Sequence, residues 1–205
     1  MDNYITILGE GSFEYEDRKS VFYGFSSPVK TESEALNFIE RIKKAYPDAR
    51  HHVYAYVLKD SNLSRFSDDR EPQGTAGMPV LDAIRKNNCT DIVLVVVRYF
   101  GGVLLGTGGL VRAYSSAASG ALKAGEIVKY STYSFYGIRV SYSDYQKIIP
   151  IMQEHNFRIT DNSFFDSVKI EGNILSSDKD AFIAKINETT SGRADINFVE
   201  ERLSF

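Results

Sequence analysis

The sequence predicts an α+β protein of two domains, residues 1–127 and 128–205, and three observations carry that reading. Residues 91–100, DIVLVVVRYF, form a continuous apolar run of strand length, the pattern of a strand buried on both faces. A glycine-rich stretch, RYFGGVLLGTGG at 98–109, joins that run to a segment of helical periodicity. From residue 133 onward the elements follow the order β-α-β-β-α-β, which is that of a ferredoxin-like domain.

Taken in order, YITIL (4–8), SFEYE (12–16) and SVFYGFSSPV (20–29) read as strands. A helix follows over TESEALNFIERIKKAYP. Thr31 with Glu34 forms a capping box, Leu36, Ile39, Ile42 and Tyr46 form the inward stripe, and Pro47 stops it. HHVYAYVL (51–58) alternates as a strand, and SDDREPQGTAG (67–77) is a polar loop. Pro79 marks the start of a second helix, with Val80, Leu81 and Ile84 on one side. After the apolar run, a helix from about 108 to 124 places Leu110, Val111, Tyr114, Ala118, Ala121 and Leu122 inward, and Gly125 ends it.

GEIVKYSTY (125–133) reads as the boundary. Beyond it come a strand at 133–142 and a helix capped by Ser143 and Gln146, carrying Tyr145, Ile148, Ile149 and Met152. Strands at 157–165 and 168–175, a helix opened by Ser177 with Phe182, Ile183 and Ile186, and a last strand at 195–205 complete the chain.

Composition narrows the class. Of 205 residues, 43% are hydrophobic and 25% charged, ordinary for a globular protein. The single Cys89 excludes an intramolecular disulfide and points to a reducing compartment. The first residues lack a basic and an apolar region, and the apolar runs are too short to span a bilayer, so a cytoplasmic protein without a membrane partner is expected. The net charge is −3, and splitting the chain near residue 128 leaves 15 basic against 16 acidic residues, then 9 against 11. Neither half supplies an overall positive field, so any nucleic-acid contact needs a local patch.

Six of the chain's 15 glycines lie between Arg98 and Leu122. Their spacing is neither a Walker A loop, since Thr107 stands where Lys should follow, nor G-x-G-x-x-G. A strand, a glycine-rich turn and a helix N-terminus remain, a geometry that presents unpaired N–H groups and a positive dipole end to an anion. Arg98, Tyr99, Gly101, Gly102, Gly106, Thr107, Gly108, Gly109 and Arg112 are therefore the candidate ligand residues; tight helix–sheet packing is the alternative use of the same glycines. Asp68, Asp69, Arg70, Glu71, Gly74 and Thr75 form a second loop, expected as the opposite wall of one cleft. Its carboxylates, with no clustered His, are read as turn-forming rather than metal-binding. His51 and His52, adjacent on a strand, point to opposite faces and cannot easily serve one metal. No catalytic residue, cofactor or metal is expected.

SDDREPQGTAGMPVL (67–81) and VVVRYFGGVLLGTGGLVRAY (95–114), supported by RKSVF (18–22) and HHVYAY (51–56), resemble the IMPACT/YigZ family, and the order of elements extends the resemblance over essentially the whole chain. It implies an N-terminal domain of the ribosomal-protein-S5-domain-2-like type and a C-terminal domain similar to the last domain of elongation factor G. It implies a translation-associated role with RNA or ribosome contact and no established reaction. The sequence departs at Arg70, where the family usually has Gly, at Gln73, usually Ser, and at Leu104, where many members have Lys.

A noncatalytic RNA-, ribosome- or phosphate-binding protein is therefore the leading reading. Two others stay open. One is a small-molecule phosphotransfer enzyme, since Gly109-Leu110 and Ser115-Ser116-Ala117-Ala118 are similar to parts of the phosphate loop of galactokinase–mevalonate-kinase-type enzymes. The other is a module that grips a protein partner to regulate translation. The oligomeric state is left open.

Overall fold

The computed structural model describes residues 3–205. These divide into two compact units, Tyr4–Lys129 and Asn3 with Tyr130–Phe205.

The first unit is built on a five-stranded sheet. Its strands are β2 (Gly11–Asp17), β3 (Ser20–Pro28), β4 (His51–Leu58), β5 (Leu63–Ser67) and β6 (Ile92–Tyr99), in the spatial order β2-β3-β6-β4-β5 with every neighbour antiparallel. A short β1 (Tyr4–Ile7) stands outside this sheet. The central β6 explains the architecture. Because side chains alternate along a strand, Ile92, Leu94 and Val96 enter one core while Val93, Val95 and Val97 enter another. The first core is closed by α2 (Gly77–Lys86) and α3 (Gly106–Ala124), the second by α1 (Glu32–Ala45). The uninterrupted apolar run is thus what a strand between two helical layers requires.

Helix α3 lies unusually close to the sheet. A methyl group built on Gly24 would stand 2.4 Å from the carbonyl oxygen of Ala117, and one on Gly120 would stand 2.1 Å from the ring of Phe13. Ser26 Oγ donates to the Ala121 carbonyl at 2.8 Å.

The sequence placed several residues differently. In α1 the buried stripe is Ala35, Phe38, Ile39 and Ile42, while Leu36 is 46% exposed. The i, i+3, i+4, i+7 series from Ala35 faces the sheet, which turns Leu36 away. Thr31 does cap α1, accepting from Glu34 N–H at 3.2 Å, while Glu34 reaches back to Lys30 N–H at 2.6 Å. Strand β5 is an addition; it is a short edge strand that the sequence left unassigned except for Ser67, read as the first residue of a loop. α3 begins at Gly106 rather than 108, its residue Val111 is exposed, and Gly125 is a right-handed C-cap, with Glu126 taking the left-handed turn at φ 59°.

The second unit holds β7 (Ile127–Val140), α4 (Tyr142–Glu154), β8 (Arg158–Phe164), β9 (Val168–Leu175), α5 (Lys179–Thr190) and β10 (Asp195–Ser204). β7 starts inside the segment read as a boundary. Its strands run in the order β10-β7-β9-β8, all antiparallel. Tyr136, Ile138, Val140, Val168, Ile170 and Ile174 bury against Ile148, Met152, Phe182 and Ile186, so both helices share one core. Ser141, not Ser143, caps α4, and Asp178 rather than Ser177 stands before α5. Arg193 donates to both carboxylate oxygens of Asp144, at 3.1 and 2.8 Å, tying the end of α5 to the start of α4. These bonds hold the Asp144 carboxyl well below the usual carboxylate range.

Candidate functional site

The two loops singled out by sequence meet at a buried carboxylate. Glu71 Oε1 accepts from Arg98 Nη1 at 2.6 Å and from the Tyr114 hydroxyl at 2.8 Å. Arg98 is the last residue but one of β6, Tyr114 lies in α3, and Glu71 sits in the 67–77 loop, so one oxygen ties three segments together. His51 Nε2 stands 3.9 Å from the same oxygen, because β4 pairs His51 directly with Arg98. All but His51 are buried: the side chains of Arg98 and Glu71 are 7% and 4% exposed. Burial first, then the Glu71 charge, pushes the Tyr114 phenol far above its ordinary value, so it acts here only as a donor.

This arrangement changes the role expected of Arg98. Its guanidinium is not turned to a ligand but is paired inside the fold, between the rings of Phe22 and Phe100 at 5.4 and 5.6 Å. Its Nε carries no hydrogen-bond partner among the described residues, and the two aromatic faces offset that loss in part. Removing either partner of such a pair strands a buried charge.

Each acidic residue of the loop has its own task. Asp68 accepts from the backbone N–H groups of Gly74, Ala76 and Gly77 at 3.0, 3.1 and 2.7 Å, so it shapes the loop and caps the start of α2. Asp69 accepts from His52 N–H at 2.6 Å, and its carbonyl meets His51 Nδ1 at 2.8 Å, a bond that requires the proton on that nitrogen. His52 Nε2 reaches the Tyr46 carbonyl at 2.9 Å, which accounts for its burial. Arg70, exposed at φ 70°, donates to the Arg50 carbonyl. Gly74 is exposed at φ 77°, and Thr75 is buried with its hydroxyl on the Pro72 carbonyl at 2.6 Å. The three carboxylates diverge, and no group of three or more potential metal ligands occurs among the described residues.

The glycine-rich segment splits into a packed part and an open part. Gly101 rests on the β2–β3 turn: a methyl there would lie 2.0 Å from the Lys19 carbonyl carbon, and its N–H donates to Ser20 Oγ at 3.1 Å. Tyr99 is half-buried, its ring edge-on to Tyr23 at 6.1 Å, and Gly109 is buried. Gly102 and Gly106 have φ of +85° and +72°, and a methyl on either, or on Gly108, would meet nothing. Gly106, Thr107 and Gly108 form an exposed first turn of α3, with no side-chain cap and no acidic residue in that turn. Arg112 is exposed and forms no hydrogen bond or ion pair among the described residues. So the candidates divide into a buried set around Glu71 and an exposed set around the start of α3. His51 was missed as a neighbour of Glu71; its position opposite Arg98 depends on strand register, which no local pattern gives.

Cys89 is buried, and burial pushes its thiol up to about 11, which leaves it without thiolate reactivity at neutral pH. No helix is long and apolar enough to cross a membrane among the described residues.

Comparison with known proteins sets these features in context. The Impact N-terminal domain family matches residues 18–122, and a domain of unknown function, DUF1949, matches residues 138–193. An IMPACT family member from Bacillus subtilis, YvyE, is 34% identical over 96% of this chain and 91% of its own length. YigZ, an IMPACT family member from Escherichia coli, is 32% identical over 91% of this chain and 93% of its own. A solved structure described as a hypothetical protein is 30% identical, covers 98% of both chains and superposes with a TM-score of 0.60.

Proposed function

Because the chain belongs to the IMPACT family, we propose that it is a noncatalytic, translation-associated protein that binds RNA, the ribosome or another phosphate-bearing ligand at the glycine-rich start of α3. The observation that carries this reading is the exposed, uncapped turn Gly106-Thr107-Gly108, with Arg112 unpaired in the same helix. Backbone N–H groups without partners and a positive dipole end favour an anion there. In this reading Arg98 and Glu71 hold the segment in place and do not touch the ligand. We further assign S5-domain-2-like and ferredoxin-like types to the two domains read from the sequence as 1–127 and 128–205, with the division two residues later, between Lys129 and Tyr130; the order β10-β7-β9-β8 supports the second assignment.

The test is binding to ribosomes and to RNA across a salt series. Arg112→Ala is expected to reduce the salt slope by about one. Thr107→Glu adds an acidic group where a helix start tolerates it, so the fold survives while anion binding falls at least tenfold. Binding that is absent in the wild type, or unchanged in both variants, overturns the reading.

A second reading, a module for a protein partner, is favoured by the apolar side chains on the same loop. Phe100, Val103 and Leu104 are 46%, 44% and 82% exposed. Capture of a partner that survives nuclease treatment and is lost in Leu104→Asp supports it. The phosphotransfer alternative has less behind it: Ser115 and Ser116 lie well inside α3, and Asp68, Asp69 and Glu71 are each committed to other partners. ATP with Mg²⁺ is expected to be neither hydrolysed nor used as a phosphate donor.

A further inference from the structure

The second unit contains a cavity that the reading above does not use. It has a volume of about 490 Å³ and lies where α4 hands over to β8. Its lining joins an apolar floor, Met152, Phe157 and Leu175, to Tyr133, Gln153, Asn156 and Arg158. The size suits a small organic ligand rather than a lone ion.

The chemistry of the walls is specific. Tyr133 presents a half-buried ring, and the Arg158 guanidinium stands 5.6 Å from its centroid. Gln153, Asn156 and Arg158 are exposed, and their side chains make no hydrogen bond or ion pair among the described residues. Two amides, each able to donate and accept, therefore flank a cation and an aromatic face, and no carboxylate lines the cavity. Asn156 is held at φ 54° directly after the end of α4, so its place is set by the backbone. Phe157 stacks on Phe182 at 4.9 Å, which fixes the floor to the core of the unit.

An apolar floor, one aromatic face, unpaired amides and a single unneutralised cation match a planar heterocycle that carries hydrogen-bonding edges and a phosphate. We propose that this cavity binds one unstacked nucleotide, its base on the apolar floor beside Tyr133, its edge read by Gln153 and Asn156, and its phosphate paired with Arg158 where it stands over the Tyr133 ring. The source is either a mononucleotide or a base splayed from a single strand. The site shares no residue with the start of α3, since all its residues lie in the second unit.

The experiment follows the side-chain amide resonances of Gln153 and Asn156 in the full-length protein. One arm titrates the four nucleoside monophosphates, the other a short single-stranded RNA. Saturable shifts are expected in at least one arm. Arg158→Ala and Tyr133→Leu should each weaken binding by about tenfold, the second keeping the apolar volume. In the monophosphate arm, Gly137→Ala, a second-unit change at a position with open space that lies outside the cavity, should leave the amide shifts unchanged, while loss of ribosome binding in Thr107→Glu with the monophosphate shifts retained separates this site from the proposed function. Equal affinity per nucleotide in both arms identifies a mononucleotide site, and binding in the RNA arm alone identifies a strand. Amides unmoved in both arms, or binding that persists at full strength in both second-unit variants, overturn the proposal.

Discussion

The two sheets of this molecule solve the same problem in opposite ways. The sheet around β6 is covered on both faces, and its central strand is apolar at every position from Ile92 to Val97. The sheet around β7 has both helices on one face. There β7 alternates: Ser134, Tyr136, Ile138 and Val140 are buried, and Tyr133, Phe135 and Gly137 are only half so. On the less buried face the aromatics carry cations, Arg158 over Tyr133 and Arg202 over Phe135, the latter at 4.3 Å. A doubly covered sheet commits its strand to packing. A singly covered one leaves half its side chains free for chemistry.

That contrast can be broken from the buried side first. Glu71→Ala leaves the Arg98 guanidinium without its carboxylate in the interior and should cost the first unit about 3–5 kcal/mol. In a urea titration read by NMR, first-unit resonances should be lost well before those of the second. Leu94→Ala removes one face of β6 and should cost about 3 kcal/mol in the same titration. Gly24→Ala forces α3 off the sheet, for about 1–3 kcal/mol, with the shift changes confined to β3 and α3.

The second unit should respond to acid. The depressed Asp144 carboxyl contributes stability that is fully present above the unfolded value near 4 and is lost progressively as pH falls from there through its lower folded value. Asp144→Asn should therefore remove most of the second unit's loss of stability below about pH 4, measured as the thermal midpoint against pH. The smallest effect belongs to the half-covered face. Arg202→Ala, at an exposed cation paired with Glu200 at 3.2 Å, should change stability by less than about 1 kcal/mol.

How legible these features were in the sequence follows from the same contrast. The run from 91 to 100 announces a buried strand because both faces demand apolar side chains. The edge strand Leu63–Ser67 was missed, since LSRFS is short and half polar, and only its pairing with β4 makes it a strand. The stripe of α1 was right at Ile39 and Ile42 and wrong at its margin: Leu36 continues their three-residue spacing, but the face centred on Ile39 takes Ala35 and Phe38 instead. The site divided along the same line. The glycines and the open turn of α3 are local properties and could be read directly. The turn of Arg98 inward to Glu71 could not, for it depends on two residues 27 apart meeting in the interior. His51 joins them only through strand register.

One contact has a consequence for how such sequences can change. The ring of Phe13 occupies the space that any side chain at Gly120 would need. A larger residue at 120 needs residue 13 to become smaller or to turn away, and a small residue at 13 on its own uncovers this stretch of α3 to solvent, since Phe13 is itself 43% exposed. The two positions are 107 apart in the chain and are expected to drift as a couple: across relatives, bulk should pass between them with its sum held near constant.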